Sequence, residues 1–162
     1  MKKLLYSMSI LLVLALSLLP NTSNVLAEDN RIDVDALEVP FCNEVYICDP
    51  GVMTFPGNNI HIRGMVQYYM VTGASDDRMT GINRLTANMN WDSNMTGPGW
   101  GTFHNQSTIY NGYWEGTYSA IMYEGGHYIS RIQGKGYGAF DGLIITAVEN
   151  DGHFVGTIIE AP

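Results

Sequence analysis

The chain has 162 residues, 16 acidic against 8 basic side chains and a net charge of −8. That sign, without clustered Lys and Arg, excludes nucleic acid as an expected partner and disfavours anionic membrane surfaces. With 46% hydrophobic residues, the chain holds enough apolar material for one domain with a real core.

Residues 1–27, MKKLLYSMSILLVLALSLLPNTSNVLA, have the parts of a secretory signal peptide. Lys2 and Lys3 supply the positive start, Leu4 to Leu19 the apolar run, and Pro20 the helix break. Val25 and Ala27 are the small residues at −3 and −1 of a cut before Glu28. The run is shorter than the roughly 20 residues an uncleaved anchor needs, so no stable membrane anchor is expected after cleavage. The expected location is secreted, or extracytoplasmic. Cleavage removes two basic residues and no acid, which makes the remainder more acidic still.

Residues 28–57 read as an acidic leader followed by a disulfide-containing segment. EDNRIDVDALEVP (28–40) is rich in acids with one Arg, and suggests a solvated leader or a loose first strand. Cys42 and Cys48 in FCNEVYICDP are the chain's 2 cysteines. In an oxidising compartment they predict one structural disulfide closing a short loop. A redox or metal pair would want C-x-x-C spacing or a neighbouring His, and neither is present. Val52–Phe55 is a further short strand candidate.

Residues 58–162 read as the β domain. In NIHIRGMVQYYMV, the residues Ile60, Ile62, Val66, Tyr68 and Met70 share one face with Gly64, and His61, Arg63, Gln67 and Tyr69 the other. This period-two alternation predicts a half-buried strand. MTGINRLTANMNW repeats it, with Met79, Leu85, Ala87, Met89 and Trp91 opposite Thr80, Arg84, Thr86, Asn88 and Asn90. Further strands are predicted at 99–106, 113–123, 127–133, 142–149 and 153–159. Turn-like separators lie between them, and Asn150-Asp151-Gly152 reads as a hairpin turn. No helical periodicity is sustained after the signal peptide. The expected fold is therefore all-β: a single antiparallel, closed β-barrel of about eight strands, with a two-sheet sandwich as the alternative. Glycines within or beside the strand runs favour the barrel, where they permit bends and close packing.

Motif chemistry is mostly excluded. GKGYGAFDGL (134–143) lacks the G-x-G-x-x-G spacing of a dinucleotide loop, precedes a strand rather than a helix, and has no Ser or Thr after Lys135. DSNMTG (92–97) imitates the first half of a calcium loop, but its twelfth position is Phe103 and its flanks are strands. His61, His104, His127 and His153 lie in separate segments without metal-ligand spacing, so no metal and no cofactor are expected. There is no nucleophile elbow. Asn94 and Asn105 open glycosylation sequons, relevant only in a glycosylating host.

The aromatics carry the positive expectation. Tyr68, Trp91, Trp100, Trp114 and Tyr118 fall on strands, mostly on the apolar face, which in a barrel points inward to fill the core or line a cavity. Arg63, Arg84, Glu115 and Arg131 fall on the opposite face. A register one residue off would make these charges the pocket residues instead.

Gly112, Trp114, Gly116 and Tyr118, followed by Gly136, Gly138, Phe140 and Gly142, form a G-x-W-x-G-x-[WY] strand and a G-x-G-x-[FY]-x-G hairpin opening. Over about residues 60–162 this pattern resembles the allene oxide cyclase and dirigent-like barrel superfamily, including secreted bacterial members. The resemblance implies an eight-stranded barrel with an inner cavity, trimeric in many plant members, that steers reactive small molecules by confining them. It implies fold and not reaction, since no functional residue of the family's pocket is placed on this chain.

The expected function is a secreted barrel binding a small, largely apolar molecule, with Tyr68, Trp100, Trp114, Tyr118 and His104 as contacts. The alternatives are a confinement-type cyclase or isomerase using a polar group such as His104 or Glu115, and a filled barrel acting as a structural or cell-surface interaction protein.

Overall fold

The computed structural model describes residues 31–40 and 47–162, so the signal-peptide region and Cys42 lie outside the described residues. The described chain is all antiparallel sheet. Its strands are β1 (Ile32–Pro40), β2 (Ile47–Asp49), β3 (Val52–Thr54), β4 (Ile60–Thr72), β5 (Gly81–Trp91), β6 (Gly97–Ser107), β7 (Gly112–Met122), β8 (Tyr128–Gly138), β9 (Leu143–Asn150) and β10 (His153–Glu160). The strands from β4 to β10 pair with their neighbours in chain order. β1 closes the circuit by pairing Ile32–Leu37 with β10 and Leu37–Pro40 with β4. Eight strands thus form a ring, which removes the exposed edges that favour aggregation. β1 is too short to cover all of β4, and β2 and β3 pair with the remainder of that edge. Of the two sequence readings of residues 28–40, leader or first strand, the strand holds for Ile32–Pro40.

Alternation sets the inside of the ring. In β7, Trp114 is buried while Glu115, Thr117, Ser119 and Ile121 are exposed. In β9, Ile145, Ala147 and Glu149 are buried and Thr146 and Val148 exposed. β4 departs from simple alternation. Its register against β5 moves from Ile62↔Met89 to Met65↔Ala87, so three residues of β4 advance against two of β5. Gly64 takes up the extra residue at φ 69°, a left-handed conformation that costs a glycine little. The bulge exchanges the faces. Ile62 and Met65 are both buried, and beyond the bulge Tyr69 and Val71 face inward while Tyr68 faces out.

One end of the ring is filled. Val34, Val71, Met79, Phe103, Phe140 and Ile158 pack with Trp114, which is 0% exposed. The Trp114 ring stacks on Phe140 at 5.2 Å, and its Nε1 donates to the Arg78 carbonyl at 2.9 Å. Phe140 reaches this position because Gly136 yields the space: a Cβ there would stand 2.1 Å from the Phe140 carbonyl oxygen. The glycines of GKGYGAFDGL are therefore architectural. At the other end of the ring, the β9–β10 hairpin turns through Asp151 (φ 50°) and Gly152 (φ 83°), two left-handed residues as a type I′ turn requires. No helix among the described residues is long and apolar enough to cross a membrane.

Candidate functional site

Between the filled end and the β7–β8 and β9–β10 turns, the ring encloses a cavity of about 520 Å³. Its apolar wall comes from alternating inward positions: Leu85, Met89 and Trp91 on β5, Tyr118 and Met122 on β7, and Ile132 on β8. On β6 the inward residue at the same level is Gly99, so that strand contributes backbone and leaves the volume open. Gly125, Gly126 and His127 of the β7–β8 turn and Asp151 and Gly152 of the hairpin frame the mouth. There His127 Nδ1 lies 2.8 Å from Asp151 Oδ2, and Tyr128 N donates to Asp151 Oδ1 at 2.7 Å.

A cluster of polar groups interrupts this apolar wall. Glu38 of β1 and Glu149 of β9 both line the cavity, and Glu149 is 5% exposed. Glu149 is well supplied with donors: the Tyr128 hydroxyl donates to Oε1, and Ser130 Oγ donates to Oε2 at 2.8 Å. Glu38 has one, Asn83 Nδ2, which donates to Oε1 at 2.7 Å. Asn83 Oδ1 is buried and has no hydrogen-bond partner among the described residues, and the other, buried Glu38 oxygen faces Glu149, to which it bonds when protonated. Burial, and then the charge of Glu149, push the Glu38 carboxyl up to about 8, against the opposing hydrogen bond from Asn83. Burial and the charge of Glu149 also raise the phenols of Tyr118 and Tyr128, which remain hydrogen-bond donors at neutral pH. At pH 7 Glu38 therefore holds its proton, beside a largely apolar wall.

The residues expected to contact a ligand are dispersed. Tyr118 lines the cavity. Trp114 lies in the filled end, packed on Phe140. Tyr68, Trp100 and His104 are on the outer face, the first because of the bulge at Gly64 and the other two because β6 turns its glycines inward. Trp100 is 38% exposed and lies 5.2 Å from the Arg63 guanidinium, a cation–π contact; His104 lies 4.7 Å from the Tyr113 ring. Glu115 is exposed on the same outer surface, so neither polar group named for an enzyme reaches the cavity. Arg63, Arg84 and Arg131 are exposed too. Cys48 lies exposed in β2, and its expected bond to Cys42 falls outside the described residues. In DSNMTG, Asp92 accepts from Asn94 N, Thr96 N and Thr96 Oγ1, a loop-capping role. Among the described residues, no three His, Cys, Asp or Glu side chains group as metal ligands do.

The functional residues that sequence reasoning missed are the buried polar ones: Glu38, Asn83, Tyr128, Ser130 and Glu149. A signal existed for two of them. Glu149 continues the apolar face of Ile145 and Ala147, and Asn83 that of Leu85 and Ala87, so each is a polar residue at a position the alternation reserves for the core. Comparison of the chain with protein-family models, curated proteins and solved structures finds no match.

Proposed function

We propose that this is an exported, closed β-barrel protein that binds a small, largely apolar molecule inside the ring. The observation that carries the reading is the cavity of about 520 Å³, walled by apolar and aromatic side chains and open at one end. Pockets for small molecules have this character: mostly apolar, with a few placed polar groups that fix orientation. Export rests on the sequence of residues 1–27 and the Cys42–Cys48 bond on the compartment it implies; assembly as a trimer rests on the resemblance to the allene oxide cyclase and dirigent-like barrels.

Trp91 lines the cavity and Trp100 stands outside it, so intrinsic fluorescence tests the reading. Titration with N-phenyl-1-naphthylamine is expected to quench tryptophan emission saturably. Trp91→Phe should remove most of that quenching, and Trp100→Phe should leave it. Quenching that never saturates, or that survives Trp91→Phe, overturns the reading.

One observation favours a second reading, a confinement-type cyclase or isomerase. A carboxyl that keeps its proton to about pH 8 beside an apolar volume is suited to general acid catalysis. Here Glu38 would donate to a developing alkoxide and Glu149, held by Tyr128 and Ser130, would stabilise the cationic centre. This reading requires that a reactive apolar epoxide close with a stereochemical excess that disappears in Glu38→Gln. Racemic product with the native protein counts against it.

A further inference from the structure

We propose that the ligand of this cavity carries an ammonium head, seated between Glu38, Asn83 and Glu149, with its apolar body along the aromatic wall. The inference rests on the binding reading above and adds the chemical class of the ligand. Its ground is an imbalance of donors and charge. Asn83 Oδ1 is a buried acceptor with no partner among the described residues, in a residue only 6% exposed. Glu38 Oε2, buried beside it, becomes a second such acceptor when the Glu38 proton leaves. A buried acceptor without a donor destabilises the empty protein. A ligand that supplies the donor recovers that cost.

The charge points the same way. Glu38 and Glu149 face one volume, and no Lys or Arg lines it. The titratable groups around the pair are Tyr69 of β4, Tyr118 of β7, Tyr128 of β8, and His127 and Asp151 at the mouth, where the imidazole is already paired with Asp151. None of the groups beside the two carboxylates is cationic. An ammonium offers three N–H donors and one positive charge. Two donors match Asn83 Oδ1 and the deprotonated Glu38 Oε2, and the third can reach Glu149. A carboxylate ligand would add a second negative charge beside Glu149, and an alcohol offers one donor and no charge. The Tyr118 ring, near enough to both carboxyls to feel their charge, adds cation–π attraction for a cation in a desolvated site. A hard divalent ion fits less well: it takes six to eight oxygens, and both Glu149 oxygens already accept from hydroxyls.

Binding is coupled to a proton. Glu38 holds one in the empty site; the incoming ammonium replaces it, and the proton leaves to solvent. One proton is therefore released per ligand bound below about pH 8, where Glu38 is protonated.

Calorimetric titration with 4-phenylbutylamine, 4-phenylbutan-1-ol and 4-phenylbutyrate at pH 6, 7 and 8, in buffers of differing ionisation enthalpy, tests this. The amine is expected to bind at least ~10-fold more tightly than the alcohol, as charge-assisted hydrogen bonds imply. Its affinity should rise by up to ~10-fold per pH unit, with release of one proton. Glu149→Gln should reduce amine affinity ~10-fold or more and alcohol affinity by far less, and retained alcohol binding shows that the variant keeps its cavity. Glu38→Gln should abolish proton release. If the alcohol or the butyrate binds as well as the amine, or the amine binds without proton release, the head-group assignment is wrong and the cavity reading stands. Displacement of the amine by millimolar calcium chloride would mark a metal site and overturn the proposal. If none of the three compounds binds, both readings fall.

Discussion

The two ends of the ring are built from the same strands and have opposite interiors. At the filled end, Trp114 and Phe140 stack and are backed by Met79, Phe103 and Ile158, Trp114 Nε1 has its acceptor, and Asn105 Nδ2 donates to the Met79 carbonyl while its Oδ1 is unpaired. At the open end the same strands present Tyr118, Met122 and Ile132 to an empty volume, with Asn83 Oδ1 left unpaired. Interiors are normally packed without voids, and buried polar groups are normally satisfied. The filled end keeps the first rule and leaves one acceptor, Asn105 Oδ1, unpaired; the open end combines an unfilled volume with two facing carboxyls and the unpaired Asn83 Oδ1. The difference assigns packing stability to one half of the ring, and on the proposed binding function ligand chemistry falls to the other.

The largest expected effect lies at the filled end. Trp114→Ala removes a fully buried ring, its stack and its hydrogen bond, and is expected to cost about 3–5 kcal/mol by chemical denaturation. Met122→Ala at the cavity wall should cost well under half of that, because the native side chain already faces open volume. Equal losses would erase the distinction between the ends. Gly136→Ala comes next: a new Cβ would overlap the Phe140 carbonyl, and the expected cost is about 1–3 kcal/mol with displacement of Phe140.

The carboxylates sharpen the comparison through pH. Glu38 titrates near 8 when folded, against about 4.3 in an unfolded chain. Between those values the folded state binds more protons than the unfolded one, so stability from this group falls as pH rises from about 4.3 to 8 and is flat above. Glu38→Gln should flatten that decline, leaving the variant relatively more stable at pH 9 than at pH 5, on the order of a few kcal/mol. Thermal unfolding across that range reads it. A native protein whose stability climbs between pH 5 and 8, with the same slope in Glu38→Gln, would remove the buried proton. The smallest effects belong outside. Tyr68→Ala and His104→Ala change outer-face side chains and should alter probe affinity less than about two-fold, within the usual range for surface substitutions.

Much of the strand layout was legible because alternation and turn chemistry are local. Asn150-Asp151-Gly152 specified its hairpin, and Leu85, Ala87, Met89 and Trp91 turned inward together as their spacing required. In β4 the same reasoning put Tyr68 inside, because a period of two cannot register one inserted residue. Gly64 was the visible marker of that insertion, yet only the pairing of Met65 with Ala87 shows which way the strand resumes. On β6, apolarity favoured Trp100 for the interior, and the ring instead needed the small Gly99 there to leave space.

The amino-acid sequence by itself determined the antiparallel all-β character, the turns and the architectural use of GKGYGAFDGL, since each depends on neighbours within a few residues. Tertiary structure alone decided that β1 closes the ring and that Glu38 meets Asn83 and the β9 carboxylate inside it. Glu38 and Glu149 are far apart in the chain, and each looks like an ordinary acid in its own segment. The raised proton affinity of Glu38 and the cavity it shares with Glu149 are consequences of closure, which no local pattern encodes.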